Sequence, residues 1–161
     1  MASNDEDELN KRYFLNMSDS PKKIIGRLEY IDLPEWDIQD IDAKIDTGAY
    51  SSSLHCHQIE SFKRDGLDIV RFNLLDPDHP AYNDKLFELP VHDVRDVKSS
   101  NGLSGKRVFV KTTISMFNKI YKIELSLADR SEMKYPLLIG RNFINRKFLV
   151  DVSKTNLSNK K

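Results

Sequence analysis

One cysteine, Cys56, stands alone in a chain of 161 residues. An internal disulfide is therefore excluded. Charge of one sign is missing too: Lys plus Arg and Asp plus Glu number 25 each. With no net charge, nothing draws a nucleic acid to the surface. No apolar run approaches the length of a membrane span. The N-terminus opens on Asp5, Glu6, Asp7 and Glu8 rather than on an apolar signal-peptide core. Together these absences give the expectation of a cytoplasmic protein with no nucleic-acid or membrane partner. Internal repeats are lacking, and so is any long stretch at helical spacing.

What is present is short-range alternation. At 39% hydrophobic and 31% charged residues, the composition is that of a globular domain. A chain of this length can bury roughly 70% of its unfolded surface, enough for one core. In "RVFVKTTISM", Val108, Val110, Ile114 and Met116 share one face, while Lys111, Thr113 and Ser115 take the other. "YKIELSL" aligns Tyr121, Ile123, Leu125 and Leu127; "IDAKI" aligns Ile41, Ala43 and Ile45; "VRFNLL" aligns Val70, Phe72 and Leu74. Period two marks half-buried strands. Turn-forming residues fall between them, at 63–66, 76–84, 99–105 and 117–118. One short helix is expected after Gly140, in "RNFINRKF". The fold class expected is all-β and mainly antiparallel, over residues 23–152. A disordered polar tail is expected at 1–22, and a flexible C-terminal tail at 153–161, "SKTNLSNKK".

"AKIDTGAYSS", residues 43–52, carries the first candidate for chemistry. Asp-Thr-Gly is good turn chemistry by itself, because Asp and Thr bond to nearby amides and Gly accepts positive φ. Here Asp46 ends a strand that buries Ile41, Ala43 and Ile45, and apolar character resumes at Leu54. A carboxylate on a tight turn out of a buried strand is partly desolvated yet reachable, which suits a tuned acid or base. The second candidate stretch is "PLLIGRNFI", 136–144, an apolar run and a Gly ahead of the expected helix.

Taken together, Asp46-Thr47-Gly48-Ala49 and Leu138-Ile139-Gly140-Arg141-Asn142 resemble the retropepsins, single-domain aspartic proteases of retroviral type. Element order resembles theirs over about residues 24 to 152. "SSNGLSG" (99–105) stands where a retropepsin carries its flap, with Asn101, Gly102, Leu103 and Gly105 as flap and substrate residues. "AKIDTGAYSSSLH", "RSEMKYPLLIGRNFI" and "FLVDVSK" are similar, more closely, to RimK-related proteins labelled ATP-dependent zinc proteases, themselves retropepsin-like in fold. The resemblance implies an acid-protease barrel with one short C-terminal helix. It implies a homodimer acting on a peptide or protein substrate, with Asp46 of each subunit forming half of the catalytic pair. Thr47, Gly48 and Ala49 would form the catalytic turn, supported by Gly140 and Arg141. In retropepsins an acidic residue following D-T-G-A helps hold that Arg; Tyr50 supplies no such charge. The family's link to glutamate ligases suggests glutamate-extended protein tails as substrate.

The zinc and ATP of that label find no motif. There is no H-E-x-x-H, C-x-x-C, G-x-x-x-x-G-K-[ST] or G-x-G-x-x-G. On a strand, His55 and His57 of "HCH" share a face and Cys56 points away; that stretch reads as an exposed polar strand end. No cofactor and no metal are expected. Ser51, Ser52 and Ser53 lack a G-x-S-x-G setting and read as a polar turn. Trp36 reads as a partly buried hairpin aromatic, and Lys154, Lys160 and Lys161 as a solvated tail. Two rival functions stay open: a non-catalytic dimeric β-barrel that keeps D-T-G as turn structure, and a zinc-dependent peptidase using His55 and His57.

Overall fold

Alternating sequence builds most of the molecule. The structure is a computed structural model that describes residues 7–9, 21–75, 77–80, 82, 84–98, 102–129 and 134–158. Strand β3 (Ile38–Asp46) buries Ile41, Ala43 and Ile45 and turns Asp42 and Lys44 outward. In β8 (Ser104–Met116), Val110, Thr112, Ile114 and Met116 are buried while Lys111 is exposed. β9 (Lys119–Ala128) buries Ile123, Leu125 and Leu127, and β5 (Leu67–Leu74) buries Val70, Phe72 and Leu74. Two-residue turns join two of the hairpins. Phe117 and Asn118, between β8 and β9, have φ of 52° and 57°; Asp65 and Gly66, ahead of β5, have 51° and 78°. That left-handed pair matches the twist of the strands it connects. The fold is mostly β, with a short helix at Arg141–Ile144, as the sequence indicated.

The sheet closes on itself through a strand from late in the chain. β10 (Leu137–Gly140) runs parallel to β3, with Leu137 beside Ala43 and Gly140 beside Asp46. It also runs antiparallel to β4 (Ser52–Arg64), with Leu137 beside Leu54. β2 (Leu28–Leu33) flanks β3 on its other side and reaches β8 at Asp32 and Ser115. The ring β10–β3–β2–β8–β9–β4 is thereby complete. β6 (Leu86–Pro90) extends β5, and β7 (Asp93–Lys98) pairs with the first half of β8. Trp36, in a 3-10 turn at Pro34–Trp36, is buried rather than half-exposed: its ring lies 5.9 Å from Phe72 and 5.8 Å from Phe87. No helix among the described residues is long and apolar enough to cross a membrane.

Three further sequence expectations need correction. Ser52 and Ser53 are not turn residues: they open β4 and are buried. "HCH" is not an exposed strand end, for His55 and Cys56 are buried. Both stretches lie where β4 is an interior strand, paired with β9 on one side and β10 on the other, rather than in a loop or at a sheet edge. The third concerns the C-terminal segment, which is docked over its described residues 153–158. Arg27 N–H donates to the Lys154 carbonyl at 2.9 Å, and Asn156 N–H donates to Leu28 at 2.8 Å. The Glu29 carboxylate, on a residue only 1% exposed, accepts the Leu157 N–H at 2.8 Å and the Ser158 N–H at 2.9 Å. Residues 159–161, with Lys160 and Lys161, lie outside the described residues. So does most of 1–22; the first strand, β1 (Lys23–Ile25), pairs with β11 (Phe148–Val150).

Candidate active site

Asp46 is delivered to the end of the barrel by the burial of Ile45 beneath it and by Ile139 alongside. The chain then reverses: Ala49 N–H donates to the Asp46 carbonyl at 3.2 Å. Within the turn, Asp46 Oδ1 accepts the Gly48 N–H at 3.0 Å. A Cβ at position 48 would stand 3.2 Å from that oxygen, so glycine keeps the carboxylate uncrowded. Asp46 itself is half-buried, and Thr47 and Gly48 are exposed.

The limb after Asp46 is pinned carbonyl by carbonyl to the segment after β10. There the chain forms helix α1 (Arg141–Ile144). Arg141 Nη1 donates to the Thr47 carbonyl at 3.4 Å and to that of Gly48 at 3.1 Å. Arg141 N–H donates to Ala49 at 2.8 Å, and Asn142 N–H to Tyr50 at 3.0 Å. Each carbonyl from Thr47 to Tyr50 is therefore held by the G-R-N segment. Gly140 completes the fit. Its N–H donates to the buried Ser52 Oγ at 3.0 Å, and a Cβ there would lie 2.5 Å from the Ser51 carbonyl oxygen.

Sequence reasoning placed Asp46, Thr47, Gly48, Ala49, Gly140 and Arg141 together, and the structure brings them together. It missed Ser52, whose hydroxyl ties the two segments. A serine triplet offers no local mark of which member faces inward. Tyr50 resolves the missing acid: its ring, 59% exposed, lies under the Arg141 guanidinium with Cζ 5.6 Å from the centroid. An aromatic face thus attracts the cation where a carboxylate would have paired with it.

The proposed flap is the hairpin of β7 and β8, whose last pairs are Val97 with Gly105 and Lys98 with Ser104. Gly102 has φ of 84° and Leu103 is 70% exposed; Asn101 lies outside the described residues. The base of this hairpin carries a charged cluster. Glu124 pairs with Arg95 and, at 3.0 Å, with His92. Asp93 accepts from Arg95 at 2.6 Å, and that guanidinium together with the Val94 N–H holds the Asp93 carboxyl below its ordinary range.

The zinc of the family label does not fit the described residues, among which no three His, Cys, Asp or Glu side chains converge. His55 Nδ1 is 3.7 Å from Asp129, the His57 ring lies 6.1 Å from Tyr82, and burial pushes the Cys56 thiol well up.

With that geometry in place, similarity to other proteins becomes informative. The family described as "RimB-like: Retropepsin-like aspartic endopeptidase RimB" matches residues 24–161. A protein named "Probable alpha-L-glutamate ligase" from Shewanella pealeana is 38% identical over 143 residues, 86% of this chain and 30% of that protein. One of the same name from Desulfotalea psychrophila is 36% identical over 137 residues, 83% of this chain and 29% of that protein. This chain thus spans about a third of the length of these curated relatives. A crystal structure of a Legionella pneumophila protein of unknown function superposes with a TM-score of 0.66 at 29% identity, covering 84% of this chain and 97% of that one. The chain belongs to the RimB-like family of retropepsin-like aspartic endopeptidases.

Proposed function

We propose that the protein is a homodimeric aspartic peptidase that hydrolyses peptide bonds with a water activated between two copies of Asp46. The observation that carries this reading is the pinned turn. A half-buried carboxylate projects from an exposed loop whose every carbonyl is held from behind, so its position is fixed while its front stays accessible. Each chain carries one D-T-G, so a pair of carboxylates requires two chains.

At about 3 Å the two carboxylates would repel by roughly 5–6 kcal/mol at an effective dielectric of 20. Repulsion of that size favours a pair that holds one proton between its two carboxyl groups. The ionised member takes a proton from water; the protonated member polarises the scissile carbonyl. The relatives' name supports glutamate-extended protein tails as substrate, since a domain like this one lies within chains named for glutamate ligation.

Asp46→Asn tests the reading. The amide is nearly isosteric and keeps the bond to Gly48, but it cannot act as a base. The expected variant folds, sediments as a dimer and loses hydrolysis of a glutamate-extended peptide by several orders of magnitude. Wild-type turnover from a folded Asp46→Asn dimer, or full activity from a monomer, would overturn the proposal.

A further inference from the structure

We propose that the basic pocket beside the Asp46 loop is a carboxylate-binding subsite for an acidic peptide. The pocket, a cavity of about 520 Å³, is lined by Lys22, Arg141 and Arg146, with the Tyr50 ring and the Asn145 amide among its walls. No Asp or Glu is among the described residues that line it. In a chain of zero net charge, this is a local concentration of one sign. Arg141 already donates to the Thr47 and Gly48 carbonyls and stands over the Tyr50 ring, but these partners are neutral, and no carboxylate among the described residues pairs with it.

Arg146 adds a further charge. Its φ of 65° turns the chain from α1 into β11. Its side chain supplies one of the three positive charges among the described residues lining the pocket. The pocket shares Tyr50, Arg141 and Asn142 with the segments that hold the catalytic turn, so a chain bound there lies against that turn. The role in substrate recognition rests on the peptidase reading; the binding itself does not. The carboxylates could come from a substrate or from this chain's own run Asp5, Glu6, Asp7 and Glu8.

The test is fluorescence anisotropy with labelled tetraglutamate on the full chain, a readout that needs no hydrolysis. Lys22→Gln combined with Arg146→Asn removes two charges and suits the left-handed backbone. Two exposed pairs at about 0.2–1 kcal/mol each predict roughly 2- to 30-fold weaker binding, together with loss of affinity at high salt. Lys22→Gln alone, in the exposed segment ahead of β1, leaves folding untouched and is expected to retain part of the effect. In a third variant the acidic run at 5–8 is neutralised. Unchanged affinity identifies the substrate as the source of the carboxylates, and tighter binding identifies the chain's own run. Equal affinity of wild type and the double variant overturns the proposal even if Asp46→Asn abolishes hydrolysis. Preference for tetrauridylate over tetraglutamate overturns it as well.

Discussion

Gly140 and Gly105 are the same residue type with opposite tolerance. A methyl group on Gly140 would stand 2.5 Å from the Ser51 carbonyl oxygen, whereas a Cβ on Gly105 meets nothing within 4 Å. Gly140→Ala must push the Asp46 limb away from β10, at about 1–3 kcal/mol or more. Gly105→Ala is expected within about 0.5 kcal/mol of wild type. Thermal melting of both checks this; a Gly140→Ala protein as stable as Gly105→Ala would mean the two segments are not packed as described. At this scale the sequence was most legible at the two motifs that meet around Asp46. Asp46 to Ala49 and Gly140 to Asn142 are contiguous motifs with fixed chemistry. The partner of Arg141 was not legible, because a cation held over the Tyr50 ring has no acid to announce it.

Among the elements, the hairpin of β7 and β8 divides into a paired stem and a tip. Stem pairs run from Asp93 with Phe109 to Lys98 with Ser104. Amide exchange is expected to be fast at Gly102 and Leu103, slow from Val108 to Met116, and slowed at the tip by a bound peptide. Uniform protection, unaltered by ligand, would count against a flap. The stem's Asp93 is also one of three carboxylates among the described residues held below the ordinary range. Glu88 is lowered by Arg64 and Arg71, and Asp151 by the Ser153 hydroxyl and N–H. A folded-state value below the unfolded one contributes stability above the unfolded value, and loses it as pH falls through the folded one. The melting temperature should therefore hold from neutrality to about pH 5 and decline below about pH 4. A rise on acidification over that window would contradict these ion pairs. β4 was the element least legible in sequence. A register shift between His57 and Glu60, with Gln58 at φ of 53°, breaks any single alternation over its length.

Across the whole molecule, β1 and the residues after it meet β11 and the segment that follows it. Besides the pairing of β1 with β11, Gly26 leaves room for Lys154, whose carbonyl oxygen would be 2.2 Å from a Cβ there. The carboxylate of Glu29 then gathers the Leu157 and Ser158 amides in a buried setting. Glu29→Gln is expected to cost about 1–3 kcal/mol, since hydrogen bonds to a buried charge carry that order of stability. A chain ending at Val152 should lose at least as much, read as a lower denaturant midpoint. Equal midpoints would mean the segment is an appendage. Polar composition concealed this docking: "SKTNLS" has no apolar period, and backbone bonds hold it in place. The barrel itself was legible because its strands alternate. Its closure was not, since no local pattern states that β10 enters between β3 and β4.

That insertion bears on the timing of synthesis. Asp46 leaves the ribosome well before the strand and helix that hold its turn, which are encoded nearly a hundred residues later. Contacts so distant along the chain form slowly and late. Until β10 takes its place, the Thr47–Tyr50 limb has nothing to hold it, and a nascent chain carries the aspartate without the site. The geometry around Asp46 thus arrives only with completion of the fold.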